Sequence, residues 1–174
     1  MAILFLVGYA GSGKSSLGRR LARAMACRFV DTDKLVEQSV GASIADIFYY
    51  EGEEYFRRAE RETLESVVSM SGDVVVATGG GLPTWSDNMS WMNEHGTTVY
   101  ISRSCEQILS RLTEYGREKR PMFRGKSDEE LLEFMTQQMA ARERYYAKAQ
   151  YIIDCSVMSD DDIVNYITQL ITRL

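Results

Sequence analysis

Histidine is nearly absent from this chain of 174 residues. The single one, His95, lies in NEHGTT, which reads as a helix end and turn, so acid–base work falls to carboxylates. Cysteine is scarce too. Cys27, Cys105 and Cys155 are far apart and odd in number, with neither metal-ligand spacing nor a disulfide framework, and read as reduced buried thiols. Basic excess is missing: the net charge is −5 and there is no basic tail, which argues against a nucleic-acid binder, although a compact basic site can hide inside an acidic total. No stretch approaches the roughly 20 apolar residues of a membrane span. The first apolar run is short and breaks at once into glycine, unlike a signal peptide. The expected location is cytoplasmic, with no membrane and no nucleic-acid partner.

What is present is ordinary globular composition: 45% apolar and 26% charged residues, in a chain long enough for one domain (1–174) without staples. Strand and helix signals alternate throughout. Ile3–Val7 is continuously apolar, as a strand buried on both faces should be. The helix from Lys14 to about Met25 carries Leu17, Leu21 and Met25 on one stripe. Strands are expected at Arg28–Asp31, Val74–Ala77, Thr97–Ile101 and Tyr151–Asp154. Further helices are expected twice within 41–70, the first capped by Ser43 and Asp46, and then near Asp87–Glu94, at Ser104–Leu112, from about Asp128 to Ala147 and from about Asp160. Segment 113–126 has no clean period and reads as a long loop, which in compact domains is usually functional. Alternation of this kind implies an α/β fold with a mostly parallel sheet covered on both faces.

GYAGSGKS (Gly8–Ser15) fits G-x-x-x-x-G-K-[ST], with a strand before it and a helix after it, as the phosphate-binding loop requires. Glycines let backbone N–H groups curl round a phosphate, and the helix start points its positive end at the anion. Lys14 supplies a compact charge, and Ser15 a hard oxygen ligand for Mg²⁺. The motif implies a nucleoside triphosphate without saying what is done with it.

Other candidates are weaker one by one. In DTD, Asp31 and Asp33 follow a strand end, where ligands of parallel sheets bind; an N-cap role for Asp33 is equally open. In TGGG, Gly79, Gly80 and Gly81 permit close backbone approach to a small ligand. Arg57 and Glu60 share a helical face, as a site or as a solvated pair. Arg142 and Arg144 fall late in a long helix, where surface arginines are common.

Taken together, the phosphate-binding loop, DTDKLVEQSVGASIADIFYYEGEEYFRRAE, TGGG, KRPMF and ARERYY resemble the shikimate kinase family in order and spacing over nearly the whole chain. The resemblance implies a three-layer P-loop kinase fold with a lid and a five-stranded parallel sheet of order 2-3-1-4-5. It implies ATP-dependent phosphorylation of a shikimate hydroxyl to shikimate 3-phosphate, in aromatic amino-acid biosynthesis. Mg²⁺ would be held by Ser15 and, through water, Asp31. ATP would meet Gly11, Ser12, Gly13, Lys14, Ser15, Ser16, Arg111, Arg120 and, in the adenine-side loop Asp154–Met158, Cys155. Shikimate would meet Asp33, Arg57, Gly79, Gly80, Gly81 and Arg142. Lys14, Asp33 and Arg120 would be the catalytic set, 34–61 a substrate-binding subregion and 113–126 the lid. ATP and shikimate are the expected partners of a monomer. Two alternatives stand beside this reading: a gluconate-kinase-like enzyme, and a nucleotide-binding protein without catalysis.

Overall fold

The computed structural model describes residues 2–118 and 120–172; Lys119 of the predicted lid, Met1, Arg173 and Leu174 lie outside them. The order is β1 (Ile3–Val7), α1 (Lys14–Ala24), β2 (Arg28–Asp31), α2 (Thr32–Val40), α3 (Ile44–Tyr50), α4 (Gly52–Val68), β3 (Val74–Ala77), α5 (Asn88–His95), β4 (Thr97–Ser102), α6 (Cys105–Arg111), α7 (Glu114–Glu118), α8 (Asp128–Tyr146), β5 (Tyr151–Asp154) and α9 (Asp160–Thr172). The sheet has five strands in the order β2-β3-β1-β4-β5, and every pair is parallel. This is the predicted order.

The period of two along β1 explains the layers. Ile3, Phe5 and Val7 enter one core with Val74 and Val76, while Leu4 and Leu6 enter the other with Val75, Val99 and Ile101. Leu64 and Val67 of α4, Met89 and Met92 of α5, Ile108 of α6 and Leu131 and Met135 of α8 cover the first face. Leu17 and Leu21 of α1 and Ile163 and Ile167 of α9 cover the second. A third, small cluster of Val36, Ile47, Phe56 and Ala59 ties α2 and α3 to the start of α4.

Two helices go beyond the sequence reading. α2 buries only Thr32 and Val36, too few positions to print a stripe, and stops at Gly41 with φ +75°. Within the predicted lid loop, Thr113 accepts from the Gly116 N–H at 3.1 Å and starts the single turn of α7. A 3₁₀ turn, Pro121–Phe123, follows, and Phe123 is buried in the first core. The described residues of segment 113–126 thus include a short helix and an anchored turn rather than forming a structureless loop. Ser43 does cap α3, accepting from the Asp46 N–H at 3.1 Å, as expected.

Candidate active site

The loop after β1 curls because Gly11 and Gly13 adopt φ +83° and +99°, conformations that side chains disfavour. Gly13 caps α1, so the unpaired N–H groups of the helix start face the cleft. Lys14 is buried and folds back over the loop, donating to the Gly8 and Tyr9 carbonyls at 2.8 and 2.7 Å. Burial pushes its ammonium down to about 8, against the pull of Asp33. A cleft of about 320 Å³ opens over this loop, with Lys14, Ser15, Ser16, Arg19, Asp31 and Arg120 among its lining residues.

Ser15 Oγ donates to Asp31 Oδ2 at 2.6 Å, placing a hydroxyl beside a carboxylate at the cleft. Among the described residues no group of three or more His, Cys, Asp and Glu side chains could cage a cation. That donor set fits Mg²⁺, which takes one or two protein oxygens and keeps phosphate oxygens and water for the rest.

On the other side of Asp33 lies a cavity of about 430 Å³. Arg57 comes from α4, Arg142 from α8, Arg120 from the 113–126 segment and Gly79–Gly81 from the end of β3; all line it. Cleft and cavity share one wall, made by Ala10, Asp33, Gly79, Gly80 and Arg120. The two arginines expected to meet across one pocket therefore do so.

Arg57 is held as a fork. Its Nη1 donates to Glu60 Oε2 at 2.6 Å and its Nη2 to Glu53 Oε1 at 3.2 Å. Glu60 lies on the buried stripe of α4 and is 1% exposed, so it needs that partner. Burial raises its carboxyl to about 7 despite Arg57. Asp33 rises to about 6, first by burial and then by repulsion from Asp31, with Lys14 opposing. Arg142 stacks over the Tyr9 ring at 5.9 Å, and Tyr146 of the same helix donates to the Gly80 carbonyl at 2.6 Å.

The glycines of TGGG answer to these groups. A Cβ on Gly79 would stand 2.4 Å from Asp33 Oδ1 and 2.9 Å from Glu60 Oε1; one on Gly81 would stand 2.6 Å from Arg57 Nη1. A Cβ on Gly80 would come within 3.0 Å of the Ala10 N. The triplet makes room for the cavity's own side chains and for the backbone of the phosphate-binding loop.

A family model described as shikimate kinase matches residues 10–172. The chain belongs to the shikimate kinase family. A shikimate kinase of Parabacteroides distasonis is 37% identical over 174 residues, covering 100% of this chain and 99% of that protein. One of Bacteroides fragilis is 36% identical, with 100% and 96% covered. The crystal structure of shikimate kinase from Bacteroides thetaiotaomicron superposes with a TM-score of 0.89 at 32% identity, over 98% of each chain. The Acinetobacter baumannii enzyme in complex with shikimate superposes with a TM-score of 0.86 at 31% identity, over 99% of this chain and 94% of that one.

Within this member of the shikimate kinase family, three residues read as nucleotide-binding sit differently from the rest. Cys155 is 1% exposed; its N–H goes to the Ser102 carbonyl, its carbonyl takes Arg103, and its thiol donates to the Ile153 carbonyl. The N–H, carbonyl and thiol of Cys155 each have a partner inside the protein, which gives it a structural place in the 154–158 loop beside its expected role toward the nucleotide. The Ser12 side chain is buried, which leaves the backbone as its contribution to the loop. Arg111 is paired with Asp160 at 2.8 Å rather than free.

Four side chains carry more than the sequence reading gave them. Arg19 lines the nucleotide cleft, in a row of helix arginines that gave it no distinction. Glu60 was visible as the partner of Arg57, but its burial was not. Phe48 and Phe56, 4.6 Å apart, line the cavity beside Arg57 and were given no role by the sequence.

Proposed function

We infer that this chain is a shikimate kinase, transferring the γ-phosphoryl group of ATP to the 3-hydroxyl of shikimate. The observation that carries the reading is the shared wall: a phosphate-binding cleft and an arginine-lined cavity meet at Asp33, Gly79, Gly80 and Arg120.

Each group present has a role there. The loop N–H groups and Lys14 hold the β- and γ-phosphates. Ser15 and Asp31 would hold Mg²⁺, which when bound neutralises phosphate charge. Arg57 and Arg142 grip the acceptor's carboxylate, and Glu60 keeps the Arg57 fork turned toward it. Asp33, ionised at neutral pH, accepts a hydrogen bond from the hydroxyl that attacks and takes its proton as the O–P bond forms. Arg120 reaches from segment 113–126 over both compartments and stabilises charge on the transferring group. Closing that segment as a lid keeps water from competing with the hydroxyl. Residues 34–61 form the substrate-binding subregion that brings Arg57 and Glu60 to the acceptor cavity, and the protein works as a cytoplasmic monomer.

ATP consumption measured with shikimate, with gluconate and with no acceptor tests the reading. Turnover with shikimate alone is expected. Turnover with gluconate, or equal rates in all three, overturns it.

A further inference from the structure

Arg103 lies between β4 and α6, outside every role given above, and its side chain is 3% exposed. A guanidinium that far from water must spend its donors on protein acceptors. Its Nε donates to the Ser12 carbonyl of the phosphate-binding loop at 3.0 Å, reaching that loop from behind. Its Nη1 donates to the Cys155 carbonyl at 3.2 Å and its Nη2 to Asp160 Oδ1 at 2.9 Å. One planar group thus fastens the loop after β1 to the segment joining β5 and α9.

Its neighbours in α6 aim at the same segment. Gln107 and Arg111 share a face of α6, and Arg103 lies two residues before that helix. Gln107 donates to the Ser156 carbonyl at 3.2 Å, and Arg111 to both oxygens of Asp160 at 2.8 and 3.1 Å. Asp160 thereby serves Arg103 and Arg111 together.

The sheet order says what this segment faces. The acceptor cavity lies on the β2–β3 side of β1, with the γ-phosphate end of the cleft turned toward it. The nucleoside, at the opposite end of the triphosphate, must extend over the ends of β4 and β5. There Arg103, Gln107 and Arg111 with the 155–160 segment form the wall.

We propose that Arg103 is a positioning residue for the nucleoside half of ATP, fixing the distance between the phosphate-binding loop and the 155–160 wall and, through Asp160, the resting place of Arg111. The proposal rests on the kinase reading above and adds to it a specific device on the base side. A lysine cannot replace the fork, since one ammonium on a flexible stem does not hold three acceptors in a plane.

The test compares Mg-ATP with Mg-tripolyphosphate, which keeps the phosphates and lacks the nucleoside. In Arg103→Lys, the dissociation constant for ATP should rise about tenfold, as for a loosened charge-assisted contact. That for tripolyphosphate, and that for shikimate, should stay within about twofold. The KM for ATP should rise with its dissociation constant while kcat falls less than about threefold. Equal losses for ATP and tripolyphosphate, or no loss for either, overturn the proposal. Should Arg103→Lys not fold, Asp160→Asn takes the charge from one anchor of three and carries the test. It should give about a threefold loss for ATP with tripolyphosphate unchanged, and an equal loss for both overturns the proposal. Both probes are read without shikimate, so failure of a wild type to phosphorylate shikimate would strike the function alone.

Discussion

Asp33→Asn should make the protein more stable at alkaline pH while it removes the activity. The Asp33 carboxyl is raised from an ordinary 3.8 to about 6, chiefly because its recess disfavours the charge. The sign follows from linkage. A folded-state value above the unfolded one favours the folded state below the unfolded value, and that advantage is lost as pH rises through about 6. Above this the ionised group is a liability to folding that an amide of the same shape lacks. Roughly two units of displacement correspond to about 3 kcal/mol as an upper bound, with the attraction of Lys14 already included. Asp33 keeps contact with water in the cavity, so about 1–2 kcal/mol is expected. For a domain of this length that is a rise of about 3–6 °C in Tm.

The assay is thermal melting of both proteins across pH. At pH 8 the variant should melt higher; near pH 5 about half the difference should remain; below the unfolded value of 3.8 it should vanish. Turnover should fall by at least about 10²-fold, the range for losing a proton acceptor. Identical melting at pH 8, or an advantage that grows toward acid, would refute the electrostatic account. Full activity in the variant would refute the role.

Lys14→Ala should nearly abolish turnover, a loss of several kcal/mol of transition-state stabilisation, with the fold kept by circular dichroism; activity within threefold of wild type would contradict it. Arg57→Lys keeps the charge and loses the fork. In a double cycle with shikimate and its carboxamide, the two losses should be less than additive, and simple addition would mean that Arg57 does not touch the carboxylate. The pH profile of kcat/KM should be bell-shaped, with an acid limb near 6 from Asp33 and an alkaline limb near 8 from Lys14. Saturating ATP should move the alkaline limb upward, because bound phosphate favours the ammonium; a limb that stays put removes Lys14 from the phosphates. Gly79→Ala should raise the KM for shikimate more than that for ATP, since its Cβ would press on Asp33 and Glu60; the reverse order would locate the glycine's function in the nucleotide cleft.

The phosphate-binding loop was legible because its chemistry is written in consecutive residues, and the sheet order because the family resemblance is ordered along the whole chain. α2 and α7 were not, since helices burying two residues or none leave no periodic trace. Arg57 and Glu60 showed their spacing but not their depth: the sequence pairs them, and only the fold tells that Glu60 is out of water. TGGG suggested a close approach without naming the visitors, which turned out to be Asp33, Glu60, Arg57 and the backbone of Ala10. Cys155 was read as a reduced, buried thiol, and it is one. Arg103 looked like any arginine after a strand, and its role needs three acceptors from distant segments.

Charge shows the same limit of one-dimensional reading. The chain carries a net −5, yet both substrates of the proposed reaction are anions. Around the cleft and the cavity the balance is reversed: Lys14, Arg19, Arg57, Arg120, Arg124 and Arg142 face Asp31, Asp33, Glu37 and Glu60, six cations to four carboxylates. Two of the four, Asp33 and Glu60, have values raised toward neutrality by burial, so less than four full negative charges oppose the arginines near pH 6. Those two carboxylates also have geometric work: Glu60 holds the Arg57 fork, and in the proposed reaction Asp33 holds the acceptor hydroxyl. Attraction of anions therefore depends on where the fold gathers six side chains, which the total charge of a sequence does not encode.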